Sequence, residues 1–182
     1  MEYKAAIDRI MGMVDFERPS TIPGTRARYD LVRIGALLAA LGNPHLSVPT
    51  VHIAGTKGKG STAAMVASVL NAAGYRTGLY TSPHLHTFRE RIQLGGQLIP
   101  EKDFASLVEK LWPTMEEVSR TGQERVTVFE LLTAMAFYYF KSQKAGVQVI
   151  EVGLGGRLDS TNVVQPLVCG ITALGLDHME IL

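Results

Sequence analysis

Val48-Pro49-Thr50-Val51-His52-Ile53-Ala54-Gly55-Thr56-Lys57-Gly58-Lys59-Gly60-Ser61-Thr62 is the stretch that decides the fold. Its apolar opening reads as a short buried strand. A glycine-rich turn follows, and Ala63, Met65, Val66, Val69 and Leu70 continue at helical spacing up to Gly74. In a strand–glycine loop–helix unit, backbone N–H groups converge on phosphate oxygens at the helix N-terminus. Lys59 then stands where an ammonium reaches terminal phosphates. The common pattern G-x-x-x-x-G-K-[ST] is not met, because Ile53 replaces its first glycine and Gly60 separates Lys59 from Ser61. A solvated turn carrying two lysines is the competing reading, and the flanking strand and helix argue against it.

Working outward, Tyr3, Ile7, Ile10, Met11 and Val14 predict a first helix, and a Pro/Gly/Arg-rich stretch over 17–28 predicts a loop. Asp30 caps a second helix with an apolar face of Leu31, Ile34, Leu37, Leu38 and Leu41, stopped by Gly42-Asn43-Pro44. Downstream, residues 77–81 read as a strand. Pro100 opens a helix through Phe104, Leu107, Leu111, Trp112 and Met115, which Pro113 is expected to kink or split. Residues 129–140 are apolar nearly all round, as in a helix buried on several sides. Residues 147–152 and 167–173 are near-continuous apolar strands. Strands alternating with helices imply an α/β fold with a mainly parallel, covered sheet.

The 182 residues, 46% of them hydrophobic, suffice for one domain with a sizeable core. A net charge of +1 provides no field to gather nucleic acid or an anionic membrane, so any anion must be bound locally. The single Cys169 excludes an intrachain disulfide framework, is expected to be a buried small hydrophobe, and fits a reducing compartment. The N-terminus lacks a signal-peptide core, and no run approaches the roughly 18 apolar residues of a membrane span. The chain therefore reads as soluble and cytoplasmic. Its last residues, 177–182, follow an apolar segment with no covering helix, and the chain looks cut short.

Three further places could carry chemistry. Ser82, in Thr81-Ser82-Pro83-His84-Leu85-His86, is either an oxygen ligand or a turn residue, and local sequence favours the turn. His84 and His86 do not make a zinc pair, since Pro83 prevents a helix and no second pair of ligands is near. Glu151 ends an apolar strand and so faces the crevice where ligands of open α/β sheets bind. The following Gly153-Leu154-Gly155-Gly156 fails the dinucleotide fingerprint, because Leu158 sits where its third glycine belongs. Asp177-His178 is expected at the end of the next strand, at the height of Glu151, which leaves a shared metal site and an ordinary surface histidine both open.

Taken together, these blocks resemble the folylpolyglutamate synthase and dihydrofolate synthase family, of the Mur-type amide ligases. The resemblance runs through Leu41-Gly42-Asn43-Pro44, residues 55–62, 81–85 and 89–92, Thr127-Val128-Phe129-Glu130, residues 151–162 and Gly175-Leu176-Asp177-His178. That family uses the variant phosphate loop, so the mismatch noted above supports the likeness. It implies a P-loop-type, Mur-ligase-like ATPase domain over residues 1–182, incomplete, with a C-terminal glutamate-ligase domain and the family's modified lysine beyond Leu182. It implies that ATP phosphorylates a carboxylate of dihydropteroate or folate and that L-glutamate attacks the acyl phosphate. Gly55, Thr56, Lys57, Gly58, Lys59, Gly60, Ser61 and Thr62 would hold ATP. Ser82, Glu151 and His178 would ligate Mg²⁺, with Mn²⁺ as a substitute. Lys59, Glu151 and His178 would be the catalytic set, and Thr127, Phe129 and Asp159 would lie near the pterin. Alternatives are a Mur-type ligase of cell-wall precursors and a non-catalytic nucleotide-binding fragment.

Overall fold

The strand and helix expected around the glycine loop form as β1 (Thr50–Ala54) and α3 (Lys59–Ala72), in a computed structural model that describes residues 1–15, 30–122 and 125–177. The loop expected over 17–28 lies outside the described residues. Upstream are α1 (Tyr3–Met11) and α2 (Val32–Ala40). Asp30 accepts a hydrogen bond from the Val32 N–H at 2.9 Å, so it serves the first turn of α2. Gly42 and Asn43, both at positive φ, end that helix as expected.

Downstream of α3 the chain forms β2 (Thr77–Tyr80), β3 (Ile92–Leu94), β4 (Gln97–Leu98), α4 (Glu101–Thr121), α5 (Val128–Ser142), β5 (Val147–Glu151) and β6 (Val168–Ile171). They make one six-stranded sheet in the order β4-β3-β2-β5-β1-β6. β2, β5, β1 and β6 run parallel, and the β3–β4 hairpin is antiparallel, which gives the mostly parallel, helix-flanked sheet expected. The hairpin was not anticipated, although Gly95-Gly96 between two strand-forming runs is its signal.

α3 lies on one face of the sheet over Ile53, Leu79 and Val149, touching them through Ala63 and Ala67. The other face carries the larger core, where α5 packs against the sheet and α1, α2 and α4 pack beyond it. α5 is buried on nearly every side, and its start is polar but fully paired. Thr127 caps the helix, and the Glu130 carboxylate returns to the Thr127 N–H at 2.8 Å. Arg33 of α2 reaches the same carboxylate at 3.0 Å, so the buried charge is paired and hydrogen-bonded.

Three expectations need correction. Pro113 does not split α4, which runs unbroken from Glu101 to Thr121. Trp112, Met115 and Val118 remain buried on its core side, and that burial outweighs the one hydrogen bond a proline forfeits. Cys169 is exposed, not a buried hydrophobe. The reason is that β6 is an edge strand with its apolar side chains uncovered: Val168 is 58% and Ile171 70% exposed among the described residues. The sheet is therefore not covered along its whole width.

Candidate functional site

β2, β5 and β1 are parallel neighbours, so their carboxyl ends deliver Ser82, Glu151 and the glycine loop to one edge of the sheet. The loop begins at Gly55, φ 134°, where a Cβ would run into the Thr172 side chain. Gly58 caps α3 at φ 82°, a left-handed conformation that costs glycine nothing.

Hydrogen bonding divides the loop in two. Thr56 and Lys57 donate their N–H groups to the Ala173 carbonyl at 2.9 and 3.3 Å. The Thr56 hydroxyl also lies 3.1 Å from both the carbonyl oxygen and the amide nitrogen of Gly175. This half of the loop is anchored to the chain after β6. In the other half the Gly60 N–H is bound to Glu151, and the Thr62 N–H closes the first helical turn on Gly58 at 3.0 Å. Among the described residues no acceptor faces the N–H groups of Gly58, Lys59 and Ser61. They add to the positive end of α3 and leave a seat for an anion.

Glu151 is buried, with one carboxylate oxygen 3.0 Å from the Ser82 N–H. Its carboxylate lies so close to α3 that a Cβ on Gly60 would stand 3.2 Å from Oε1. Burial pushes its pKa above the ordinary 4.5, opposed by the Ser82 amide, the Lys59 charge and the Gly60 amide. A desolvated carboxylate beside an anion seat favours a cation between them. Beyond Ser82, the Glu90 carboxylate accepts from the N–H groups of Leu85, His86 and Thr87 at 2.8 to 2.9 Å, which fixes the loop that carries Ser82 and the exposed His86. His84 accepts at Nδ1 from the Arg91 guanidinium at 2.9 Å.

The structure thus brings together Lys59, Ser61, Ser82 and Glu151. His178 lies outside the described residues. For Asp177 the expectation of a place at the end of β6 is corrected: β6 stops at Ile171, and residues 172–175 turn across the glycine loop, captured by Thr56. Among the described residues no group of three or more His, Cys, Asp or Glu side chains gathers to hold a metal ion.

Phe129 and Asp159 also come together. Gly153, just past β5, lies between them, and a Cβ there would stand 2.6 Å from Phe129 Cζ and 3.0 Å from Asp159 Oδ2. The Phe129 ring is half-buried and tilted 47° to the Tyr80 ring. Asp159 is buried, and burial raises its pKa against the hydrogen bonds it accepts from Thr161, Leu154 and Gly153. Thr127 stands two residues before Phe129, with its hydroxyl committed to the helix cap. The sequence reading missed His52 and Thr161. Their spacing carries no signal, because 109 residues separate two side chains that meet at 2.9 Å.

These features define a phosphate-loop α/β domain with an acidic group poised beside its loop. No family model matches the chain. It is 46% identical over 153 residues to a dihydrofolate synthase/folylpolyglutamate synthase of Bacillus subtilis, covering 84% of this chain and 36% of that one. It is 49% identical over 160 residues to a folylpolyglutamate synthase of Arabidopsis thaliana, covering 87% and 26%. A solved FPGS–AMPPCP–folate complex superposes with a TM-score of 0.89 at 38% identity, over 100% of this chain and 42% of that one. The chain belongs to the folylpolyglutamate synthase and dihydrofolate synthase family and spans between about a fifth and about a third of the length of the curated relatives it matches.

Proposed function

We propose that this chain supplies the nucleotide and metal side of an ATP-dependent ligase that joins L-glutamate to folate or dihydropteroate. The observation that carries the reading is the anion seat at Gly58, Lys59 and Ser61 with the buried Glu151 carboxylate hydrogen-bonded to its rim. It is supported by the likeness to an FPGS solved with AMPPCP, an ATP analogue, and folate. Lys59 and the loop amides bind and orient the terminal phosphates, while Gly55, Thr56 and Lys57 hold the loop in shape. The acyl-phosphate route brings three anionic groups together, so positioning and charge neutralisation are the protein's main tasks.

Glu151 and Ser82, two hard oxygen donors side by side, fit Mg²⁺, with Mn²⁺ as a substitute and His178 as the third residue of the set. When bound, the ion neutralises charge on the phosphate oxygens. Phe129 offers an aromatic face to the pterin, and Thr127 and Asp159 keep that wall in place. The glutamate-ligase domain belongs to the length that the relatives have beyond this match. Among the described residues no helix is long and apolar enough to cross a membrane, and the proposed location is the cytoplasm.

Calorimetric titration of the 182-residue chain with AMPPCP, with and without Mg²⁺ and then with folate, tests this reading. Mg²⁺-dependent nucleotide binding is expected, with no ligation by the chain alone when ATP, Mg²⁺, folate and L-glutamate are all supplied. Absence of nucleotide binding at millimolar concentration would refute it. Nucleotide binding that is indifferent to Mg²⁺ and to folate would favour a plain nucleotide-binding module.

A further inference from the structure

His52, Thr161 and Asp159 form a buried polar chain, of which the proposed function uses Asp159 alone. His52 is in β1, three residues before Gly55, and faces away from α3. Its Nε2 lies 2.9 Å from the Thr161 hydroxyl, which lies 2.5 Å from Asp159 Oδ1. Asp159 Oδ1 also accepts from the Thr161 N–H at 2.9 Å, and Oδ2 accepts from the Leu154 N–H at 2.8 Å. The Gly153 N–H donates to the same carboxylate. Three hydrogen bonds, with the Gly153 amide beside them, occupy most of the lone-pair positions of this carboxylate. Its oxygens act as acceptors throughout, which makes the Thr161 hydroxyl a donor to Asp159. That hydroxyl then accepts from His52, which carries its proton on Nε2.

The chain ties two parts of the site together. At one end is the strand that feeds the phosphate loop; at the other is the Gly153–Leu154 backbone, which continues from Glu151, with Gly153 against the edge of the Phe129 ring. Satisfying so many buried polar groups at once leaves few alternative arrangements. We propose that His52, Thr161 and Asp159 are a strut, with Thr161 as a positioning residue that holds the Gly153–Leu154 backbone against Phe129 and so sets the face on which a flat heterocycle stacks. The assignment of that ligand as a folate-type ring rests on the proposed function. The strut itself does not.

Thr161→Val removes the hydroxyl at nearly constant volume, and Thr161→Ser keeps it. In the 182-residue chain, NMR should show the His52 proton on Nε2 and strong exchange protection of the Leu154 amide, both kept in Thr161→Ser. In Thr161→Val the Leu154 protection should fall by roughly tenfold or more, in line with the loss of one buried hydrogen bond, with α3 amides such as Ala67 unchanged. Folate affinity, read by calorimetry with AMPPCP saturating, should fall in Thr161→Val by a similar factor and recover in Thr161→Ser, while AMPPCP affinity stays within about threefold. The strut is overturned if His52 carries its proton on Nδ1 alone, or if Thr161→Val leaves the His52 proton and the Leu154 amide as they were. Equal losses of AMPPCP and folate would overturn the positioning role. Failure of the unmutated chain to bind folate would count against the proposed function, and the proton measurements would still decide the strut.

Discussion

At Lys59 and Glu151 the site depends on single charges. Lys59 opens α3 beside the amides that bind nothing else among the described residues, so its ammonium adds to a positive helix end. Lys59→Ala should weaken AMPPCP binding at least tenfold with little change in thermal midpoint; near-normal affinity would show that phosphate sits elsewhere. Glu151 has the opposite problem, a negative charge held out of water. Because its folded pKa is raised, the folded chain binds more protons than the unfolded one above the ordinary value of 4.5. The stability it contributes is fully present below that value and is lost as pH rises through its folded pKa. The thermal midpoint of the metal-free chain should therefore fall, relative to that of Glu151→Gln, as pH rises from about 4 to about 7. Mg²⁺ at neutral pH should raise the midpoint of the unmutated chain and not that of the variant. Parallel pH curves, together with equal Mg²⁺ responses, would remove Glu151 from the metal site.

Between elements, the decisive contacts are close approaches that only glycine permits. Gly78 of β2 lies under α5, where a Cβ would meet the Phe140 ring at 2.7 Å. Gly146, just before β5, has no atom nearer than 3.9 Å to the same imagined Cβ. Gly78→Ala should cost about 1–3 kcal/mol in urea unfolding through overpacking, and Gly146→Ala should cost far less. Equal effects would mean that α5 shifts freely on the sheet. At this scale much was legible beforehand. The α3 and α5 helices and the strands at 50, 77 and 147 follow from periodicity and punctuation. The cap of α5 was equally available, since Thr127-x-x-Glu130 is a capping-box pattern. The partner of its buried Glu130, Arg33, was not, because it lies 97 residues away.

Across the whole molecule, one edge of the sheet presents apolar side chains to solvent. Leu167, Val168, Ile171, Leu174 and Leu176 are all exposed, in and beyond an edge strand that pairs with β1 alone among the described residues. An apolar edge of this kind templates association. The 182-residue chain should self-associate with rising concentration in sedimentation velocity, and Ile171→Lys should shift it toward monomer without loss of AMPPCP binding. A concentration-independent monomer would show that the edge is inert. The net charge of +1 offers little repulsion to prevent such contacts.

The amino-acid sequence by itself determined the alternation of strands and helices, the glycine loop at a helix start and the carboxylate at the end of β5. Each is a local pattern, written within a few residues and enforced by backbone geometry and the side on which apolar groups fall. Only the tertiary structure decided which strands are neighbours, and therefore that Ser82 and Glu151 meet beside Gly60. It also decided that Thr56 anchors the loop to residues 173–175, that Cys169 lies on an open edge, and that His52 finds Thr161. Such contacts join residues far apart in the chain, and their free energy comes from burial and from pairing polar groups that no local spacing reveals.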